Sequence, residues 1–225
     1  MTSKRMKAYH VVSFKCKKLK EKHWQTVLTS IICQTDQKFI YETKLMLFIQ
    51  LTGLSGSGKS TIANGVKKML QSNGYRVEVV DGDVYRKKIC PDLGFSRMDR
   101  HENIRRLGFV SNRFAENGII AILAAINPYE DIRKELLLYG PHVKTVWINC
   151  DLDTLMKRDT KQLYHRAMLP DDHPHKIKNL TGVNDPYELP QNPDLVLNTA
   201  IEEEDKSIEI LFNYIVKNIN ANGNS

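Results

Sequence analysis

At 225 residues, with 41% hydrophobic and 26% charged residues, the chain suits one α/β domain carrying an appendage and can bury a sizeable core. Its formal charge of +7 hints at nucleic acid, but ten Lys and Arg against three Asp and Glu place all of it in residues 1–45, and residues 46–225 balance to zero. A basic nucleic-acid face is thus excluded for the main body, and no apolar run approaches the ~18 residues that span a bilayer.

Residues 1–45 read unlike the rest. Lys15, Lys17, Lys18, Lys20 and Lys22 crowd together without a sustained apolar period, and Glu21, Asp36 and Glu42 argue against an organelle-targeting peptide. The segment reads as a basic, disordered extension or as sequence ahead of a true start at Met46; a basic docking arm is the remaining option. From Leu45 an apolar run to Leu51 predicts a strand, and Ile62 onward predicts a helix ending near Gly74. Between them stands Gly53-Leu54-Ser55-Gly56-Ser57-Gly58-Lys59-Ser60-Thr61, with the spacing G-x4-G-K-S. Glycines at 53, 56 and 58 let the backbone curl so that successive N–H groups face a phosphate, and the following helix adds its positive end. Lys59 reaches the β- and γ-phosphates, and the Ser60 hydroxyl can ligate Mg²⁺. A chance match to this spacing is about 1 in 100 for such a chain, so the stretch predicts a nucleoside-triphosphate site.

Arg76–Val80 predicts a second strand. Apolar residues at Ile104, Leu107, Val110, Phe114 and Ala115 predict a helix from Asp99 to Asn117, with Gly118 at its C-terminal cap. Ile119–Ile126 is a continuous apolar run, as in a strand buried on both faces. Pro128 opens a short helix to Leu138, Val143–Cys150 is a strand, and a helix runs from about Leu152 to Arg166. Residues 167–190 are rich in Pro, Asp and His and read as a lid. Leu195–Leu197 and Glu202–Ile219 supply a last strand and helix. Strands alternating with helices predict a mostly parallel sheet wrapped on both faces. Cys16, Cys33, Cys90 and Cys150 lack metal-ligand spacing and disulfide density, fitting reduced thiols in the cytoplasm.

Asp81 and Asp83 close the second strand, where such a fold supplies carboxylates for Mg²⁺-bound water and for an attacking hydroxyl; a plain Asp-Gly surface turn is the competing reading. Beyond them Arg86, Arg97, Arg100, Arg105 and Arg106 form a cationic region suited to an anionic second substrate, with Arg100 and Asn103 on one helix face. Arg105 or Arg106 alone would pass for a solvated face paired with Asp99 and Glu102. Phe95 could stack a base, although a Phe is more often core. Arg158 and Lys161 stand at the lid entrance, where cations close on phosphates in small kinases. His165, His173 and His175 lack a fourth ligand and read as solvated lid residues rather than a zinc site. Trp147 and Cys150 read as core.

Through these residues the chain resembles the adenylylsulfate (APS) kinase family of the P-loop nucleoside-triphosphate hydrolase fold, a three-layer sandwich with a lid. The matching segments are Gly53–Thr61, Asp81-Gly82-Asp83 with Arg86, Asp92–Ser96, Asp99–Arg106, Asn127-Pro128-Tyr129, Arg158–Tyr164 and Thr181–Pro190, in family order. The resemblance implies transfer of the γ-phosphoryl of MgATP to the ribose 3′-hydroxyl of adenosine 5′-phosphosulfate, giving PAPS and ADP in sulfate assimilation. It implies ATP on the glycine-rich loop with Arg158, and Asp83 beside the hydroxyl. It further implies Arg86, Arg100, Asn103, Ile126 and Asn127 at the acceptor, Phe95 on its adenine, Lys161 at the phosphates, and a homodimer. Three departures stand out. Asn127 replaces a Ser sometimes drawn as a phosphorylated intermediate, so direct in-line transfer is expected. Glu130 replaces a cation, which should weaken the anion site, and Leu180 replaces a Phe of the adenine clamp. These keep open a same-fold kinase acting on another nucleotide-linked anion; a non-catalytic ATP-binding module is the reading from another class.

Overall fold

The computed structural model describes residues 46–223, so the expectations for residues 1–45 lie outside it. Alternation along the central strands generates the architecture. In β1 (Phe48–Thr52), Ile49 and Leu51 point to one face and Phe48 to the other, and every residue of the strand is buried. In β3 (Ile120–Ala124) the same division puts Ile120 and Ile122 on the first face and Ala121 and Leu123 on the second. A strand apolar on both faces must be covered twice, which a parallel sheet with crossover helices accomplishes.

The sheet has the order β2-β3-β1-β4-β5, with β2 at Val77–Asp81, β4 at Val143–Asn149 and β5 at Leu195–Asn198. All its pairings are parallel; Phe48 sits between Ala121 and Val143. On the first face lie α1 (Lys59–Ser72) and α7 (Glu204–Gly223), through Ile62, Val66, Leu70, Leu211 and Ile215. On the second lie α3 (Arg97–Glu116) and α4 (Glu130–Leu137), through Ile104, Leu107, Ile132 and Leu136. The expected α/β three-layer sandwich is present, and among the described residues no helix is long and apolar enough to cross a membrane.

Several element boundaries differ from the sequence reading, each for a local polar reason. Asp81-Gly82-Asp83 is no surface turn: Asp81 caps α2 (Gly82–Ile89), its carboxylate accepting from the backbone N–H of Asp83 and Val84. α3 begins at Arg97 because Ser96 and Asp99 form a reciprocal capping box, which also removes Asp99 as a partner for the nearby arginines. The helix expected over 152–166 is two helices, α5 (Leu152–Arg158) and α6 (Leu163–Ala167). The Asp159 carboxylate accepts from the N–H groups of Tyr164 and His165, capping α6 and ending α5. β3 leaves the sheet after Ala124, so Ile126 and Asn127 curve toward the start of the glycine-rich loop. α7 begins two residues later than the acidic run suggests, and Trp147 is half-buried rather than core, whereas Cys150 is buried. Leu180, in the segment expected to form a lid, packs with Cys150, Leu155, Tyr164 and Ala167 in a small apolar cluster.

Candidate active site

The residues singled out in the sequence converge at the carboxyl ends of β1, β2 and β3, where ligands enter open α/β sheets. Leaving β1, the chain turns at Gly53 with φ +155°; a Cβ there would stand 2.4 Å from the Ile148 carbonyl oxygen of β4. Gly58, at φ +96°, is the N-cap of α1 and supplies no side-chain cap, so the first-turn amides keep their N–H groups for a ligand. The loop is braced from outside. Thr199 Oγ1 donates to the Ser57 carbonyl at 2.9 Å, and the Tyr164 hydroxyl donates to the Ser55 carbonyl at 2.7 Å. Leu54 and Ser57 hold the lysine: Lys59 Nζ donates to the Leu54 carbonyl at 2.7 Å and lies 3.4 Å from Ser57 Oγ. Burial pushes the Lys59 ammonium down to about 7, against the pull of Asp83 and Asp81.

Ser60 Oγ donates to Asp81 Oδ2 at 2.5 Å, so the two expected metal ligands meet. A hydroxyl and a carboxylate beside a polyphosphate cradle are the hard oxygen donors that suit Mg²⁺. Asp83 takes the Lys161 ammonium at 2.5 Å; that hydrogen bond, foremost, holds its carboxyl below the usual carboxylate range. Thr61 lines the same cavity, of about 330 Å³, together with Ser60, Asp81, Asp83, Arg86, Phe95, Arg100, Asn103, Ile126, Asn127 and Lys161. A second cavity of about 790 Å³ adjoins it, with Cys90, Leu93, Ile177 and Leu180 in its wall. Asp83, Arg86, Phe95, Arg100, Ile126 and Lys161 face both.

The arginines divide. The Arg86 guanidinium donates to the Leu93 and Gly94 carbonyls and lies 4.6 Å from the centroid of the Phe95 ring, which is 56% exposed. Arg100 is buried; it donates to the Phe95 and Asn179 carbonyls and pairs with Asp185 at 3.2 Å. Arg97, Arg105 and Arg106 turn to Asp131, Glu135 and Asp92 instead and line neither cavity. Arg158 likewise stands outside both, its guanidinium on the Thr199 carbonyl at 2.6 Å. Glu130 does not face the anion site, contrary to expectation; its carboxylate takes the Arg133 guanidinium at 2.7 Å. Asn103 and Asn127 are buried in the cavity wall, each with a side-chain oxygen lacking a hydrogen-bond partner. Of the two braces, Tyr164 stands in a matched segment and Thr199 in none, and neither contact was legible, since a lone hydroxyl names no partner across the chain.

A polyphosphate cradle opening through a shared carboxylate and lysine into a chamber for a second molecule is the arrangement of a P-loop kinase, an ATP-dependent transferase. Within that class, the model of the adenylylsulphate kinase family matches residues 45–198, and the chain belongs to that family. It is 44% identical over 168 residues to a probable adenylyl-sulfate kinase of Synechocystis sp., covering 75% of this chain and 92% of the relative. Among solved structures, the Mycobacterium tuberculosis APS kinase in complex with AMPPNP and APS superposes with a TM-score of 0.69 at 33% identity, over 76% of this chain and 98% of that one. A hexameric APS kinase from Thiobacillus denitrificans superposes with a TM-score of 0.56 at 25% identity, over 78% of this chain and 30% of that one.

Because a Cβ at Gly53 would strike backbone rather than a yielding side chain, Gly53→Ala should fold with the loop displaced from β4 and lose binding of a fluorescent nucleoside triphosphate. Undiminished binding would show that the turn has slack.

Proposed function

We propose that the protein is an adenylylsulfate kinase acting by direct in-line transfer: the γ-phosphoryl of ATP passes to the 3′-hydroxyl of APS, giving PAPS and ADP. The observation that carries this reading is the shared boundary of the two cavities at Asp83 and Lys161. ATP lies on Gly53–Thr61, with Lys59 at its β- and γ-phosphates. Ser60 and Asp81 would hold the magnesium of MgATP, which neutralises charge on the phosphate oxygens. Asp83, ionised across the neutral range, accepts the proton of the attacking hydroxyl. Lys161 leaves that carboxylate for the γ-phosphoryl as charge builds there. Arg86, Arg100 and Asn103 take the phosphosulfate, Phe95 stacks the adenine, Ile126 borders both cavities, and Asn127 meets the acceptor from the wall of the first. The carboxamide of Asn127 cannot become phosphorylated, which supports a single displacement. Arg158, held beside the glycine-rich loop, borders the nucleotide without reaching its phosphates.

A second reading, a same-fold kinase for another nucleotide-linked anion, draws support from Leu180 in the wall of the acceptor chamber. Turnover of MgATP with APS against a panel of nucleotide diphosphate derivatives separates the two; faster phosphorylation of another acceptor would displace APS. Catalysis is assigned to residues 46–225 and no part of it to the basic extension 1–45. A cytoplasmic location fits the buried free thiols of Cys90 and Cys150. The assembly is proposed to be a homodimer, and sedimentation velocity would refute this with a hexamer or a monomer.

Asp83→Ala should lower kcat by about 10²- to 10⁴-fold while keeping ATP affinity, measured by product formation and by calorimetry. Full activity would remove Asp83 from the base role. The lowered pKa of Lys59 has its own signature. Polyphosphate favours the ammonium, so its pKa rises on binding. Between about 7 and the bound value the complex holds more protons than the free enzyme. ATP binding at about pH 8 should therefore take up protons, and affinity should fall as pH rises above 7 but stay level below it. Calorimetry in buffers of differing ionisation enthalpy reads the uptake, which Lys59→Gln should abolish; an equal uptake in that variant would assign the proton elsewhere.

A further inference from the structure

Behind the Asn127 wall of the first cavity lies a charge the mechanism above does not use. Arg133, on α4, is 1% exposed, among the most deeply buried large side chains of the protein. Each of its three guanidinium nitrogens is engaged: Nε donates to Glu130 Oε2 at 2.8 Å, Nη1 to the Asn127 carbonyl at 2.8 Å and Nη2 to the Glu188 carbonyl at 2.6 Å. Glu130, one turn earlier, supplies the neutralising carboxylate, and its own N–H is taken by Glu188 Oε2. A guanidinium is not buried this way without strong compensation, because its desolvation outweighs an ordinary hydrogen bond.

The partners are what give this pair its reach. Asn127 holds φ +47°, a strained conformation for a residue with a side chain, and such strain persists only where surroundings over-determine it. Gln50 closes a ring about it, accepting from Asn127 Nδ2 and donating to the Arg133 carbonyl. The Asn127 carbonyl also accepts from Thr52 Oγ1, the last residue of β1 before the glycine-rich loop, and Thr52 in turn meets the Tyr187 hydroxyl. One buried cation thus touches the acceptor turn directly, the donor cradle through Thr52, and the returning end of the lid through Glu188.

We propose that Arg133, neutralised by Glu130, is a positioning residue for phosphoryl transfer: it fixes the Asn127 turn between the nucleotide cradle and the lid, and so sets where the acceptor hydroxyl meets the γ-phosphorus. The inference rests on the kinase reading given above. Loss of the clamp lets the acceptor drift while ATP stays bound, and the γ-phosphoryl then goes to water as well as to the ribose. The test compares wild-type enzyme, Arg133→Lys and Glu130→Gln well below each Tm, measuring ATP affinity, kcat, KM for APS and the ratio of ADP released to PAPS formed. In Arg133→Lys, kcat should fall by about 10- to 100-fold, KM for APS should rise, ATP affinity should hold, and the ratio should climb above unity. Glu130→Gln should shift the same quantities less. A lowered Tm with kcat, KM and the ratio unchanged would reduce Arg133 to a structural role and overturn the proposal, as would an equal loss of ATP affinity. Should Arg133→Lys fail to fold, Glu130→Gln decides by the same criteria. Wild-type enzyme that makes no PAPS would overturn the kinase reading and this inference with it; active wild type with indifferent variants would overturn the clamp alone.

Discussion

The protein depends on a close backbone approach at the end of β1. Gly53 lies so near the Ile148 carbonyl that no side chain fits, and its N–H is taken by the Ile126 carbonyl at 3.2 Å. Those neighbours belong to β4 and to the chain just past β3, so the cradle is held between β4 and the continuation of β3, the two strands that flank β1 in the sheet. Backbone amides can face a polyphosphate only if the turn presenting them does not move when charge arrives. The core supplies that stiffness: β1 has no exposed residue, and both helical layers press on it.

The electrostatics of the site follow from this rigidity. Lys59, Lys161, Asp81 and Asp83 are gathered around one space, where the two carboxylates favour the Lys59 ammonium and Lys161 opposes it. Burial outweighs the carboxylates and brings the Lys59 ammonium down to about 7. Asp83 is held ionised by Lys161, so a base is ready but covered. Lys161 and Asp83 pair with one another, and the Ser60 hydroxyl donates to Asp81.

Much of this was legible in advance. The glycine spacing, Lys59 and Ser60 are local signals, and the period of apolar residues distinguished buried strands from covering helices. Asp81 and Asp83 were found for their position after β2, although the capping that makes them a helix start was not. The break at Asp159 was hidden because one side chain can cap the next helix only in three dimensions. Glu130 was misjudged although its partner Arg133 stands three residues on in the same helix; what stayed hidden is the burial of that pair, fixed by the Asn127 and Glu188 carbonyls. Arg86 and Arg100 were read as acceptor ligands and Arg105 or Arg106 alone as a solvated face; that Arg97 too turns away, to Asp131, is visible only in the structure.

The hydroxyl of Tyr164 on Ser55 has a bearing on speed. It fastens the short helix α6 to the phosphate loop, while Asp159 fastens the turn before it. Lys161 rides on that pinned turn, with 55% of its side chain exposed. A change of partner by Lys161 therefore needs only the rotation of a flexible stem, a pico- to nanosecond event, and not the swing of a hinge.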